Sequence, residues 1–137
     1  MPAITPSTLI GTWNLVRWSK TRNGVEAGFP MTERATGQIV YGADGRMTAY
    51  LQHPDWAKKP TGTAADGNHF IAYSGDWRLD GENVVHNVRY ASVPNWIGTN
   101  LVRRAVLENG NVALETAPEK TARGETMINR LVWQKIA

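Results

Sequence analysis

The chain has 137 residues, no cysteine and a formal net charge of +3. That length points to one domain over residues 1–137, able to bury a core without staples, and the cysteine count excludes disulfides, thiolate metal sites and a cysteine nucleophile. Lys and Arg are scattered, with Lys58-Lys59 and Arg103-Arg104 the longest basic doublets, so the charge does not gather on the single face that a nucleic-acid binder presents.

Helical periodicity is weak almost everywhere, and short stretches of period-two alternation bounded by turn residues recur along the chain. Residues 6–10 read as one helical turn. Eight strands follow, at 10–22, 35–42, 45–52, 69–79, 82–91, 99–108, 111–117 and 125–135. "ADG" at 43–45 marks a turn of uncertain length. The one long connection, "HPDWAKKPTGTAADG" at 53–67, is expected to carry a short helix near its end, and its His53 and Trp56 are candidates for a lid. "DG" at 80–81 and "NG" at 109–110 are two-residue hairpin signals, since such loops need residues that accept positive φ. A meander of short antiparallel strands removes its open edges by closing into an up-and-down barrel, and eight strands leave room for one small ligand. The fold class expected is therefore all-β. The N-terminus has no basic segment followed by an apolar one, and no run approaches the roughly 20 apolar residues of a membrane helix. The expected location is the cytoplasm.

The two sharp turns fix registers. With Asn109-Gly110 as the loop, Glu108 pairs with Asn111, Ala105 with Leu114 and Arg103 with Thr116, so Arg103 and Thr116 share the apolar inner face. Arg104 and Glu115 then form an outer ion pair. With Asp80-Gly81 as the loop, Leu79 pairs with Glu82, Trp77 with Val84, Gly75 with His86 and Tyr73 with Val88. That places Tyr73, Trp77, His86 and Tyr90 on one face, because opposed residues project to the same side. Pairing Tyr90 with Thr99 across the longer 91–98 connection would set His86 opposite Arg103, with Gly75 leaving room beside the histidine. A slip of one residue would undo that meeting.

A buried arginine needs a partner, and no carboxylate falls on this inner face, so Arg103 is expected at the barrel mouth or against a ligand anion or water. His86, Arg103 and Tyr73 are the candidate catalytic residues. His86 would serve as an acid/base or an orienting donor, because its ordinary pKa lies near neutrality, and the structural alternative is a core histidine hydrogen-bonded to a neighbour. Arg103 would hold a carboxylate or stabilise an enolate, and Tyr73 would donate to a carbonyl. Candidate ligand contacts are Tyr41, Met47 and Tyr50 around the "ADG" turn, whose faces depend on its length; Trp77, Tyr90 and Thr116 on the strands; and Asn95 and Trp96 on the loop over the mouth. No metal is expected, since His53, His69 and His86 lack ligand spacing. No cofactor is expected either: there is no phosphate loop or dinucleotide fingerprint, and nothing supports haem ligation by His53 or His86. Ser74 and Ser92 lack the base and acid of a nucleophilic triad.

Several segments in order resemble the bacterial and fungal lipocalin-like domain proteins of the calycin superfamily. They are "LIGTWNLV" at 9–16, "GQIVYGADGRMTAYL" at 37–51, "FIAYSGDWRL" at 70–79, "VVHNV…SVPNWIGTNLVR" at 84–103 and "LVWQK" at 131–135. The resemblance covers nearly the whole chain. It implies a small closed barrel with an internal cavity, in which Trp13 and Trp133 are structural. One departure is Lys135, where the family commonly has an arginine that stacks on the first tryptophan; Arg130 is the candidate substitute. The superfamily holds carriers of lipophilic molecules, and related small barrels include cofactor-free cyclases and isomerases, so the fold alone does not choose between them. The concentration of His, Arg and Tyr inside leans the expectation towards a cofactor-independent isomerase, cyclase or lyase acting on a small carbonyl or carboxylate compound. The alternative is a carrier or sensor of a small hydrophobic ligand. The partners expected are a small molecule, no nucleic acid and no membrane, with a homodimer left open.

Overall fold

The computed structural model describes residues 4–137. The described residues begin with a four-residue helical turn, α1 (Pro6–Leu9), with Pro at its first position; the Thr5 N–H donates to Thr8 Oγ1 at 3.2 Å and the Thr8 N–H to the Thr5 carbonyl at 2.9 Å. The strands are β1 (Gly11–Arg22), β2 (Val25–Glu26), β3 (Thr36–Tyr41), β4 (Arg46–Gln52), β5 (Phe70–Asp80), β6 (Asn83–Ala91), β7 (Asn100–Glu108), β8 (Asn111–Thr116), β9 (Glu119–Lys120) and β10 (Thr126–Lys135). Eight of them run in order β1-β3-β4-β5-β6-β7-β8-β10, and β1 also pairs with β10, which closes the antiparallel barrel. The two-residue strands β2 and β9, absent from the sequence reading, extend single hairpins onto β1 and β10. The short helix of the long connection is a 3-10 turn at Trp56–Lys58, near the start of that connection rather than near its end.

One end of the barrel is packed solid. Leu9 from α1 lies over it, 1% exposed, against Trp13, Ile39, Tyr41 and Trp133. The indole N–H of Trp13 donates to the Leu9 carbonyl at 2.8 Å, so the helical turn is tied to the barrel it covers. Fully burying a residue such as Leu9 or Ile39 stabilises the fold by roughly 1.5–3 kcal/mol. Lys135 holds its ammonium 5.6 Å from the centre of the Trp13 ring, so the cation over the first tryptophan is kept with a point charge instead of a planar fork. Arg130 does not substitute; it pairs with Glu108 and Glu115.

The β7–β8 register is as expected: Glu108 opposes Asn111, Arg103 opposes Thr116, and Arg104 donates to Glu115 at 3.0 Å. Asn109 and Gly110 both have positive φ, as that loop requires. The β5–β6 loop sits one residue further on than expected. Asp80 pairs with Asn83 and the loop is Gly81-Glu82, of which only Gly81 has positive φ. Each strand partner therefore moves by two, which preserves the faces: His86 lies opposite Trp77, not Gly75. The β6–β7 register is also displaced by two, so His86 opposes Leu101 and Arg103 opposes Val84.

Gly75 has a different purpose from the one expected. A Cβ there would stand 1.8 Å from the Asn87 carbonyl oxygen. The pairing of β5 with β6 shifts at this point: Gly75 opposes Val88 but Ser74 opposes Tyr90, leaving Arg89 as an extra residue in β6. Such a bulge reverses the side on which every later residue lies. Tyr90 consequently faces outward and is 72% exposed, which removes it from the inner face where the regular register had put it.

Candidate functional site

Away from α1 the barrel encloses a cavity of about 460 Å³. Its walls are mainly apolar, from Ile39, Ala49, Leu51, Ile71, Leu101, Leu114 and Leu131, with Trp18, Trp96 and Trp133 among the aromatic contributors. The polar side chains on the wall include Tyr73, His86, Arg103, Thr116 and Asn129, with Asn100 and Glu119 exposed towards solvent.

His86 comes from the middle of β6 and is 1% exposed. Its two ring nitrogens are both engaged. Tyr41 Oη lies 2.7 Å from Nε2, and Tyr73 Oη lies 2.8 Å from Nδ1. Tyr41 ends β3 and Tyr73 sits in β5, so the three side chains meet across the barrel interior. Burial lowers the imidazole pKa to about 3, with the Arg103 charge adding to that, so the ring is neutral at physiological pH. Burial raises the Tyr73 hydroxyl to about 12, against a smaller lowering by Arg103. Tyr41 is raised well above its ordinary value by burial first and by Tyr73 second. All three groups therefore act as neutral hydrogen-bonding groups near neutral pH.

Arg103 is half-buried on the cavity wall. Its only hydrogen bond among the described residues is to the carbonyl of its neighbour Val102, at 3.2 Å. None of the ion pairs among the described residues includes it. Its charge nevertheless reaches Tyr41, Tyr73 and His86, lowering the pKa of each. Trp96, from the short 3-10 turn Pro94–Trp96, packs edge-on against Tyr73 with ring centres 5.6 Å apart and helps to wall the cavity.

Of the other residues singled out from the sequence, Thr116 lines the cavity and accepts from the Asn129 backbone N–H at 2.9 Å. Tyr41 and Met47 are directly opposed across the turn at 42–45 and both point inward, but they are packed into the filled end. Trp77 also lies there: its indole donates to the Gly42 carbonyl at 2.9 Å and its ring packs on Tyr41. Tyr50 opposes Ala72 and Gln38 on the outer face, 43% exposed. Asn95 is exposed and does not line the cavity. Trp56 stacks on Phe70, and His53 packs against His69, so neither covers the cavity as a lid.

Sequence reasoning did not single out Trp18, Asn129 or Asn100 for the cavity. The Trp18 indole donates to Asn129 Oδ1 at 2.9 Å, a pairing created where β1 meets β10. Their closeness depends on barrel closure between residues 111 positions apart, which no local pattern announces. Trp133, 3% exposed, has a buried indole N–H with no hydrogen-bond partner among the described residues. Among the described residues no cluster of three His, Asp or Glu side chains could hold a metal.

The chain belongs to the lipocalin-like domain family, whose sequence model matches residues 10–136. No curated protein and no solved structure matches it.

Proposed function

We propose that this lipocalin-like barrel binds a small, largely apolar organic molecule, with the oxygen-bearing end of that molecule against Tyr73 and Arg103. The observation that carries the reading is the pairing of an apolar cavity of about 460 Å³ with a half-buried guanidinium on its wall that has no carboxylate partner among the described residues. An arginine so placed is costly unless something supplies acceptors, and a carboxylate or carbonyl oxygen does so. Mostly apolar walls with a few convergent polar groups are the usual make-up of a small-molecule site.

A cofactor-independent isomerase, cyclase or lyase is the second reading. The observation favouring it is that Tyr73 and Arg103 line the same cavity, two donors of the kind that stabilises negative charge developing on a carbonyl oxygen. On either reading His86 is a positioning residue. Both its nitrogens are occupied by tyrosine hydroxyls and its pKa is about 3, so it is poorly suited to take a proton from a ligand directly. Tyr73 is then the group that would touch substrate.

The test is to identify the small molecules co-purifying with the protein by mass spectrometry and return each pure compound to fresh protein. A compound that is bound saturably and recovered unchanged supports binding alone. One recovered altered, but left intact by the Tyr73→Phe variant, supports the enzyme reading. Absence of any saturable ligand would sink both.

A further inference from the structure

The hydrogen-bond directions in the site lead beyond general small-molecule binding. Tyr41 is 2% exposed and its hydroxyl has one partner among the described residues, His86 Nε2. A buried O–H must donate somewhere or remain costly, so Tyr41 donates to Nε2. A neutral imidazole carries one proton, which is then on Nδ1 and is donated to Tyr73 Oη. The Tyr73 oxygen is thereby an acceptor already in use, and its own proton is left to point into the cavity that the side chain lines. The opposite tautomer would strand the Tyr41 proton in the filled core, where nothing else among the described residues accepts it.

The other cavity groups are biased the same way. Asn129 Oδ1 accepts from the Trp18 indole, which leaves its amide N–H groups without a partner among the described residues. Thr116 Oγ1 already accepts from a backbone N–H. Arg103 is donor-only. The polar part of the wall thus offers hydrogen-bond donors and few free acceptors. It carries one cationic side chain, Arg103, with Glu119 exposed as the one acidic residue. A group that only accepts, and that brings a single negative charge, satisfies this set; an alcohol wastes its own donor and an ammonium meets donors and a like charge.

We propose that the chain of donors from Tyr41 through His86 to Tyr73, together with Arg103, makes the cavity selective for molecules ending in a single carboxylate. This rests on the binding reading above and names the ligand class for that same site. Tyr41 and His86 act through Tyr73: they fix which way its hydroxyl points.

Three probes with the same hydrocarbon part test it: phenylbutyrate, phenylbutanol and phenylbutylamine, titrated into the full chain at neutral pH and followed by quenching of the tryptophans on the cavity wall. Charge-assisted hydrogen bonds predict that the carboxylate binds at least about tenfold more tightly than the alcohol, with the amine weakest. Long-range proton–nitrogen correlation spectra of His86 should show the proton on Nδ1. Tyr41→Phe, which leaves the cavity wall intact, should mix the two tautomers and reduce the carboxylate-to-alcohol ratio. Alcohol or amine binding as tightly as the carboxylate, or a proton on Nε2 in the unaltered protein, overturns the selectivity proposal and leaves the binding reading standing. Saturable binding by none of the three overturns both.

Discussion

Tyr41 and Tyr73, on strands that are not neighbours in the barrel, close on the two nitrogens of one imidazole at 2.7 and 2.8 Å. The relationship joins the two halves of the interior. Tyr41 belongs to the filled end with Trp77 and Met47, whereas Tyr73 stands on the cavity wall beside Trp96. Among the described residues, His86 is the only side chain bonded to both. The Tyr73 hydroxyl on the cavity wall is therefore linked through His86 to Tyr41, which does not line the cavity.

Replacing His86 by Ala should leave two tyrosine hydroxyls without their partner and lower stability by about 1–3 kcal/mol. Tyr41→Phe, which removes one bond and keeps the ring packed on Trp77, should cost less. Urea denaturation midpoints of the two variants give the comparison; a stable His86→Ala protein would mean that the cluster contributes little to folding.

The pH dependence follows from the imidazole. Its pKa is about 3 in the folded protein against 6.5 for the free side chain. Above 6.5 neither state carries the proton, and stability is at its full value. As pH falls below 6.5 the unfolded chain takes up a proton that the folded one refuses, so stability declines towards pH 3. The slope approaches about 1.4 kcal/mol per pH unit, or about 2 kcal/mol between pH 7 and pH 5. A His86→Gln variant lacks this titration. Its stability curve over that interval should be flatter than that of the unaltered protein, and parallel curves would show that the histidine is not buried as described.

Arg103 and Arg104 are adjacent in sequence and opposite in consequence. Arg104 makes exposed ion pairs with Glu115 and Glu82, and removing one such charge changes stability by less than about 1 kcal/mol. Arg104→Met should leave ligand binding alone. Arg103→Met removes the cavity's cation and should weaken binding of carboxylate probes by about tenfold or more, with little loss of stability, since no carboxylate is left behind. Equal effects of the two variants on binding would remove Arg103 from the site.

Gly75 is predicted to be intolerant of any side chain. A methyl group there meets the Asn87 carbonyl at 1.8 Å, and relief requires β5 and β6 to separate at the bulge. Gly75→Ala should cost more than about 3 kcal/mol, among the larger effects of single substitutions. A melting temperature close to that of the unaltered protein would show that the strands can part cheaply.

Much of this was legible in the sequence wherever turn chemistry fixed a register. Asn109-Gly110 put both residues at positive φ, and the placement of Arg103 inside with Thr116 and Arg104 outside with Glu115 followed from that. At Asp80-Gly81 only the glycine takes positive φ, so the loop moved by one residue and the pairing by two. An even displacement keeps every side chain on its face, which is why His86 and Tyr73 still meet. The extra residue Arg89 gave no local signal, and it sent Tyr90 outward. The partnership of Tyr41 with His86 was hidden because the length of the turn at 42–45 decided the direction of Tyr41, and because β3 and β6 approach each other only across the closed barrel. The Trp18–Asn129 pair was hidden by closure in the same way.

The most direct measurement is of what the purified protein carries. Small molecules released from the unaltered protein and from Arg103→Met would be compared quantitatively by mass spectrometry. An organic acid is expected in near-stoichiometric amount in the first and strongly depleted in the second. The same compounds in equal amounts from both proteins, or none from either together with no quenching by phenylbutyrate, would contradict it.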